Sequence, residues 1–264
     1  MNRIDIMFAR CKQQNKKALI PFITAGDPDF DTTKQLVLEL ERNGADMIEL
    51  GVPFSDPVAE GLVIQQASLR ALQSGATLSG IFELIKQLRT KTQIPLALML
   101  YINTIYRFGT EHFFARCKQV GVDAVIVPDL PTEEHHEIDT NALEHDVYPI
   151  YLAAPTSGQR IAEIARHCKG FLYCVSSTGV TGMRSTFQTD FDRFFQTIRQ
   201  HVQIPCCVGF GISSPEQVKV IKRYCDGVIV GSAIVKIIAE TGHNSPAAIG
   251  SFVKTLRNAL DEPT

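Results

Sequence analysis

Eight short apolar segments, separated by segments of helical character, constrain the fold of this chain more than any other feature. The apolar segments are rich in Val, Ile, Leu and Phe and show no clean alternation with polar residues. Strands that are covered on both faces of a parallel sheet have this pattern. The predicted strands are Ala18–Ala25, Met47–Val52, Pro95–Tyr101, Ala124–Leu130, Tyr148–Ala154, Phe171–Ser176, Cys206–Phe210 and Gly227–Val230.

The segments between the strands carry apolar residues three and four positions apart, which is typical of amphipathic helices. Asp31 or Thr32 is predicted to cap the first of them, and Asn43-Gly44 to end it. The predicted helices are Phe30–Asn43, Thr77–Thr90, Glu111–Val120, Thr132–His145, Gly158–Cys168, Thr189–Val202, Ser214–Tyr224 and Ser245–Leu260, with an additional helix at Asn2–Asn15.

This alternation predicts the α/β class and, within it, a (β/α)8 TIM barrel with an extra N-terminal helix that could cap the bottom of the barrel. Such a barrel usually takes about 250 residues, so residues 1–264 are predicted to form a single domain. A doubly wound parallel sheet is the alternative, although eight units fit it less naturally. In a TIM barrel the active site lies at the carboxyl ends of the strands.

Two carboxylates follow each other closely at the end of the second predicted strand. Glu49 is the only charged residue in the apolar run Met47–Val52, and Glu60 lies in the loop that follows. An ionised carboxylate inside a buried strand is costly unless it is paired or used in chemistry. One acid on a strand and a second on a loop predict acid–base catalysis at the strand end. The alternative is a structural glutamate that backbone hydrogen bonds satisfy.

Glycine-rich segments follow the last three predicted strands, at Ser176–Gly182, Gly209–Glu216 and Gly231–Lys236. Glycines let the backbone approach a phosphate closely, and Ser213 or Ser214 can cap a helix whose N-terminus attracts anions. TIM barrels commonly bind phosphate with the loops after strands seven and eight and a short extra helix. The sequence therefore predicts a phosphate site, with ordinary turn geometry as the alternative.

Composition argues against several other classes of function. A formal net charge of −2 does not suggest a protein that binds nucleic acid, and no apolar run is long enough to span a membrane. The seven cysteines contain no C-x-x-C pair, which favours free thiols in a reducing cytoplasm. His135 and His136, with Glu133 and Glu134, are predicted to start a solvated helix rather than bind a metal.

Five motifs distributed along the chain match one known family. They are Phe22–Pro28, Glu49–Pro57, Gly179–Gly182, Gly209–Gln217 and Gly231–Lys236. With these motifs the chain resembles the alpha subunit family of tryptophan synthase over nearly its full length. Members of that family cleave indole-3-glycerol phosphate to indole and glyceraldehyde 3-phosphate by a retro-aldol reaction that uses no cofactor. The resemblance implies the same lyase activity, within tryptophan biosynthesis.

The resemblance also implies roles for individual residues. Glu49 matches the glutamate that moves protons at indole C3 and at the glycerol hydroxyl, and Glu60 stands where a carboxylate holds the indole N–H. No metal ligand is implied. The other substrate-binding residues that it implies are Phe22, Tyr173 and Phe210 around the indole, Thr181 beside the second carboxylate, and Gly182, Gly211, Gly231 and Ser232 around the phosphate.

A beta subunit is the partner that the resemblance implies, in an α2β2 assembly. Pro53, Asp56 and Pro57 match the surface that faces this partner. Two alternatives stay open: a free-standing lyase that releases indole, and a catalytically weakened subunit that mainly activates the beta subunit.

The chain departs from the family pattern at two positions in the loop after Glu49. Glu60 replaces an aspartate, and Leu62 replaces a proline. The longer acid places its carboxylate roughly 1.5 Å further from the backbone, and a misplacement of about 1 Å can lower a rate roughly 10²-fold. Loss of the proline gives the loop more freedom in the unfolded chain. We therefore hypothesise a weakened lyase or one with a shifted loop.

Overall fold

A computed structural model describes residues 1–175, 191–209 and 211–263, with only the backbone of Gln159. The strands in this part of the chain are β1 (Ala18–Thr24), β2 (Ile48–Gly51), β3 (Leu96–Met99), β4 (Ala124–Ile126), β5 (Tyr148–Ile150), β6 (Leu152–Ala153), β7 (Leu172–Val175), β8 (Cys206–Gly209) and β9 (Gly227–Val230).

The α-helices in the same part of the chain are α1 (Arg3–Gln13), α2 (Phe30–Arg42), α3 (Leu62–Gln73), α4 (Leu78–Arg89), α5 (Ile102–Phe108), α6 (Thr110–Val120), α7 (His136–Glu144), α8 (Ile161–His167), α9 (Phe191–His201), α10 (Pro215–Ile221), α11 (Ser232–Thr241) and α12 (Ser245–Asp261). Short 3₁₀ helices occupy Thr132–Glu134, Pro155–Arg160 and Gly242–Asn244.

The strands form one parallel sheet in the order β5-β4-β3-β2-β1-β9-β8-β7-β6. The two outermost members, β5 and β6, are joined by Tyr151 alone, so the sheet curves round into a nearly closed barrel. The predicted TIM barrel is confirmed, and the prediction of a single domain stays a prediction. The predicted strand Tyr148–Ala154 is divided because its first half pairs with β4 and its second half with β7.

The division of that strand has a local cause at Tyr151. Its ring is buried among the helix-facing residues and stacks on the ring of His135, with centroids 3.9 Å apart. Its hydroxyl donates a hydrogen bond to Asp139 on α7. These contacts hold the tyrosine against the helical layer at the point where the strand changes partner.

Alternate residues on each strand face either the barrel interior or the surrounding helices, as the two-residue period of a strand requires. On β1, Ile20 and Phe22 belong to the inner cluster, whereas Ile23 packs with the helices. On β2, Leu50 packs with the helices. Glu49 precedes Leu50 and pairs in register with Phe22, so this carboxyl faces the barrel interior.

Helix α1 closes the amino-terminal end of the barrel, where the sequence predicted an extra helix. Ile4, Met7 and Phe8 join the inner cluster, and the rings of Phe8 and Phe171 lie 5.9 Å apart. The side chain of Asn2 caps the helix by accepting a hydrogen bond from the N–H of Ile4. The interior of the barrel is therefore covered at this end by apolar side chains.

Two acids at the amino-terminal end, the buried Asp123 and the partly buried Asp46, are held by arginines. Asp123 pairs with Arg3 and with Arg89, each at 2.8 Å, and Asp46 pairs with Arg257 at 3.0 Å. Burial lowers the pKa of Arg89 to about 10, against the opposing effect of Asp123. Burial raises the pKa of Asp123, which Arg89 opposes. These pairs tie the helical layer and α1 to the strands.

Three differences from the predicted helices have simple causes. Helix α2 is capped by Asp29, whose side chain accepts a hydrogen bond from the N–H of Thr32, so the predictions of Asp31 and Thr32 as caps were wrong. Helices α3 and α5 were missed. In α3 the buried residues Ile64, Ala67, Ser68 and Ala71 follow the helical period. The helix was not predicted because this segment was interpreted together with the loop that precedes it.

The cysteines pack as the sequence predicted. All seven are free, and all except Cys168 are buried. Burial raises the pKa of the thiols of Cys11, Cys117, Cys168, Cys174, Cys207 and Cys225. None of the helices within the described ranges has the length and apolar character needed to cross a membrane.

Candidate active site

Glu49 lies at the carboxyl end of β2 with its side chain enclosed. It is 0% exposed, and neither carboxylate oxygen has a hydrogen-bond partner among the residues that the structure describes. Burial raises the pKa of Glu49 well above its ordinary value, and the nearby charge of Glu60 raises it further. Backbone hydrogen bonds do not satisfy this glutamate, so the structural alternative does not hold for the described residues.

Glu60 reaches the same pocket from the loop after β2. It is buried, at 6% exposed, and it immediately precedes Gly61, the N-cap residue of α3. Its backbone is fixed on both sides: its N–H donates to the carbonyl of Pro57 at 3.0 Å, and its carbonyl accepts from the Gln65 side chain at 2.8 Å. An acid at this end of a helix is favoured in its ionised form by the helix dipole.

The pocket between these carboxyls has apolar walls. Phe22 on β1 and Tyr173 on β7 face it, with Met99 from β3 and Ile64 from α3. Burial raises the pKa of Tyr173 far above its usual range, and the charges of Glu49 and Glu60 add to this. The hydroxyl of Tyr173 therefore stays protonated, and its ring forms an uncharged wall of the pocket.

Gly51 makes room for one of these walls. It lies two residues beyond Glu49 on the same face of β2, and a side chain there would place its Cβ 2.5 Å from Cζ of Phe22. Only glycine lets the phenylalanine ring lie flat across the strand end.

The opposite wall of the pocket comes from the loops after β8 and β9. Gly211, Gly231 and Ser232 line it, together with Ile212 and Ile229. Gly211 has a φ of +82°, which a residue with a side chain adopts only with strain. Ser232 is the first residue of α11, so backbone N–H groups at the start of this helix are directed at the pocket end.

The structure thus brings together seven of the predicted site residues: Glu49, Glu60, Phe22, Tyr173, Gly211, Gly231 and Ser232 all line one pocket. The predicted residues Thr181, Gly182 and Phe210, and the predicted glycine-rich segment Ser176–Gly182, lie outside the described residues.

The loop between the carboxylates is only partly accessible. Asp56 is exposed and Pro57 is partly exposed, whereas Pro53 is buried. That Pro53, Asp56 and Pro57 face a partner stays a prediction. Val58 and Leu62 are the exposed apolar residues of this segment, at 67% and 74%.

Sequence reasoning gave no specific role to Tyr101, which holds the loop that carries Glu60. Its hydroxyl accepts a hydrogen bond from the N–H of Ala59 at 2.9 Å, and its ring stacks on Phe54 with centroids 4.9 Å apart. Burial raises the pKa of Tyr101 beyond its usual range, and Glu60 adds to the shift. The position of Tyr101 at the end of the third predicted strand was the available signal.

Other candidates have structural roles. Asp27 is fully buried and accepts two hydrogen bonds of 2.8 and 2.7 Å from the Arg70 guanidinium. His135 was predicted to be solvated, which is wrong: it is 2% exposed because it packs on Tyr151. Lys236 belongs to α11, as predicted, and pairs with Glu240 at 3.8 Å.

Comparisons with known proteins agree with this site. A family profile described as "Tryptophan synthase alpha chain" matches residues 8–261. The chain is 49% identical over 262 residues to the tryptophan synthase alpha chain of Citrifermentans bemidjiense, covering 98% of both proteins. The crystal structure of tryptophan synthase subunit alpha from Legionella pneumophila superposes with a TM-score of 0.91 at 34% identity, covering all of both chains.

A solved structure described as the basis of mutual activation of the tryptophan synthase α2β2 complex, from Pyrococcus furiosus, is also similar. Its matching chain is 39% identical with a TM-score of 0.85, and the match covers 92% of this chain and 99% of that one. Identity at this level over the full length of the chain is far above what a shared fold alone produces. The chain therefore belongs to the tryptophan synthase alpha chain family.

Proposed function

We propose that this chain cleaves indole-3-glycerol phosphate to indole and glyceraldehyde 3-phosphate by acid–base retro-aldol chemistry. The observation that carries the proposal is Glu49, a fully buried carboxyl without a hydrogen-bond partner among the described residues, beside a second buried carboxyl. Full-length similarity to alpha chains favours this lyase over a catalytically weakened activator.

Glu49 is suited to the proton transfers of this reaction. Its raised pKa favours the protonated carboxyl, which can protonate C3 of the indole ring. The resulting carboxylate then accepts the proton of the hydroxyl on the adjacent glycerol carbon. The bond between C3 and that carbon breaks, its electron pair returns to the ring, and the glycerol carbon becomes the aldehyde. Glu49 ends protonated, as it began.

Glu60 is suited to a different task. Protonation at C3 leaves a positive charge on the ring, which is largest near its nitrogen, and an ionised carboxylate in a site shielded from water stabilises such a charge. The helix dipole of α3 favours the ionised form of Glu60. The two acids therefore divide the work: one exchanges protons and the other stays charged.

Phosphate is proposed to bind at the opposite end of the pocket. Gly211 and Gly231 present backbone without side chains there, and the N-terminus of α11 begins at Ser232. Helix N-termini attract phosphate through their free N–H groups and the helix dipole. Thr181 and Gly182 are proposed, on the resemblance alone, to complete the site, with Phe210 against the indole.

A beta subunit is the proposed partner, in an α2β2 assembly such as the one from Pyrococcus furiosus. The exposed Asp56 and the partly exposed Pro57 form the proposed contact, next to the exposed apolar side chains of Val58 and Leu62. Exposed apolar side chains grouped in this way often mark a protein interface. Free thiols fit the proposed location in the cytoplasm.

Released indole, separated from the indole-containing substrate, reports the reaction, and the chain contains no tryptophan that would add indole fluorescence of its own. We expect purified protein to release indole and glyceraldehyde 3-phosphate in equal amounts from indole-3-glycerol phosphate. Glu49→Gln is expected to lower kcat about 10²- to 10⁴-fold, the usual contribution of a general acid. The exposed Glu83→Gln serves as the control. Wild-type rates in Glu49→Gln would contradict the proposal.

A further inference from the structure

A second chamber adjoins the catalytic pocket on the side away from the phosphate loops. The two spaces adjoin each other, because they share four lining residues: Phe22, Glu60, Ile64 and Met99. Aromatic and other apolar side chains form most of the remaining wall of the second chamber, among them Val52, Phe54, Tyr101 and Pro128. Gly211 and Gly231, the described glycines of the proposed phosphate site, do not line it.

Thr24 places a hydroxyl in this apolar chamber. It is the last residue of β1, two positions beyond Phe22, and it pairs in register with Gly51. The period of the strand directs it to the barrel interior, like Phe22. Its side chain is 1% exposed, and Oγ1 has no hydrogen-bond partner among the residues that the structure describes.

An unpaired hydroxyl in such a place is unfavourable on its own. Threonine hydroxyls inside proteins are nearly always paired, because burial removes their hydrogen bonds to water. A ligand atom that pairs with Oγ1 regains that loss, whereas a purely apolar ligand does not. Thr24 therefore makes the chamber selective between ligands of equal size that differ in hydrogen bonding.

The orientation of the substrate follows from the walls. Glu60 lies at the junction of the two spaces, and the phosphate loops lie only on the side of the first. With the phosphate at that end and the ring nitrogen at Glu60, the benzo edge of the indole extends into the second chamber. This step rests on the proposed function.

We propose that Thr24 is a specificity-determining residue, whose hydroxyl binds a hydroxyl substituent on the benzo ring of the indole. The class of ligand is a hydroxyindole, alone or as its glycerol phosphate derivative. A methyl group of the same size in the same place leaves Oγ1 unpaired. When the substituent is on the benzo carbon nearest to Thr24, the hydroxyindole binds more tightly than the methylindole, although the hydroxyl group is more strongly hydrated in water than the methyl group.

Binding of matched pairs tests this without any need for turnover. Dissociation constants are measured by ligand-observed NMR for the hydroxyindole and the methylindole substituted at each benzo carbon. At one carbon we expect the hydroxyindole to bind about 3- to 10-fold more tightly, the range of one neutral hydrogen bond. A preference for the methyl compound at every carbon overturns the proposal.

Two variants assign the effect to the hydroxyl of Thr24. Thr24→Val keeps the shape and removes the hydroxyl, so the preference is expected to disappear. Thr24→Ser keeps the hydroxyl and is expected to retain the preference. A preference for the hydroxyindole that survives in Thr24→Val overturns the proposal. If thermal unfolding shows that Thr24→Val does not fold, Thr24→Ala takes its place.

Condensation of unsubstituted indole with glyceraldehyde 3-phosphate separates this proposal from the proposed function. If wild-type protein forms no indole-3-glycerol phosphate, the proposed function fails, whatever the binding ratios. If condensation proceeds but the matched pairs bind without the expected preference, only the role of Thr24 fails.

Discussion

The two ends of the barrel treat a buried carboxyl in opposite ways. At the amino-terminal end, Asp123 is 3% exposed and pairs with Arg3 and Arg89. At the carboxyl end, Glu49 is 0% exposed and has no hydrogen-bond partner among the described residues. Burial raises the pKa of both, but arginines oppose the shift at Asp123, whereas Glu60 adds to it at Glu49.

This difference separates stability from chemistry within one fold. A paired acid lowers the free energy of the folded state relative to the same acid left alone, but its proton is no longer available near neutral pH. An unpaired acid destabilises the folded state and keeps a proton that can be transferred. The barrel confines the second kind to the end where TIM barrels place their active sites.

Breaking the pair at the amino-terminal end gives the largest expected change in stability. Arg89→Met leaves Asp123 buried with one partner fewer, and loss of a partner from a buried pair costs about 3–5 kcal/mol of unfolding free energy. Urea unfolding measures it. Arg42→Met removes an exposed partner of Glu39 and is the control, expected to stay within about 1 kcal/mol. Equal losses in both variants would contradict the contrast between paired and exposed charges.

Shortening the second acid at the carboxyl end is expected to slow the reaction. The backbone of Glu60 is held by Pro57 and Gln65, so Glu60→Asp withdraws the carboxylate from the pocket. We expect kcat/KM to fall about 10- to 100-fold, as a displacement of about 1 Å can cause. Glu60→Gln keeps the length and removes the charge, which separates the two requirements. A faster Glu60→Asp enzyme would instead support the hypothesis of a weakened lyase.

Removing the unpaired acid should stabilise the protein with a distinctive pH dependence. The raised pKa of folded Glu49 means that the folded state keeps a proton that the unfolded chain loses above the ordinary value of 4.5. The contribution of Glu49 to stability therefore falls as the pH rises above 4.5 toward the folded pKa. Glu49→Gln is expected to be about 1–3 kcal/mol more stable than the wild type at pH 9, with the difference vanishing near pH 4. Thermal unfolding across this range checks it, and a constant difference would contradict the assignment.

Loosening the loop at Tyr101 tests how the second acid is positioned. Tyr101→Phe keeps the stack on Phe54 but removes the acceptor for the Ala59 N–H, which is worth about 0.5–1.5 kcal/mol. We expect kcat to fall several-fold with little change in KM, and indole release measures both. Tyr106→Phe, at an exposed tyrosine bonded to Glu137, is the matched control. Equal effects of the two variants would exclude a positioning role.

The smallest expected effect concerns the family proline that this chain lacks. Leu62 is the first residue of α3, a position where proline fits because the first N–H of a helix has no intrahelical partner. Leu62→Pro should raise the unfolding free energy by about 0.4–1 kcal/mol, chiefly by restricting the unfolded chain. Leu62→Ala controls for loss of the exposed leucine side chain. Destabilisation by proline would show that the loop before α3 has a different backbone from the one described.

The barrel could be predicted from the sequence because its strands are buried on both faces and therefore read as continuous apolar runs. Glu49 was conspicuous for the same reason, as one charge in such a run. Tyr101 was not, because a tyrosine at a strand end resembles any other apolar residue until its distance to Ala59 is known. The division of the fifth strand at Tyr151 was also hidden, since it depends on His135 and Asp139 in another segment.

The seven free thiols have a practical consequence for labelling. Thiolate is the reactive form of cysteine, and the buried side chains present little of it near neutral pH. A cysteine introduced at exposed Ser55 or Asp56 would therefore react far faster with maleimides than the native thiols do. A single dye on the surface proposed to meet the beta subunit could thus be attached to the chain without removing any of its own cysteines, and its emission would report docking as it happens.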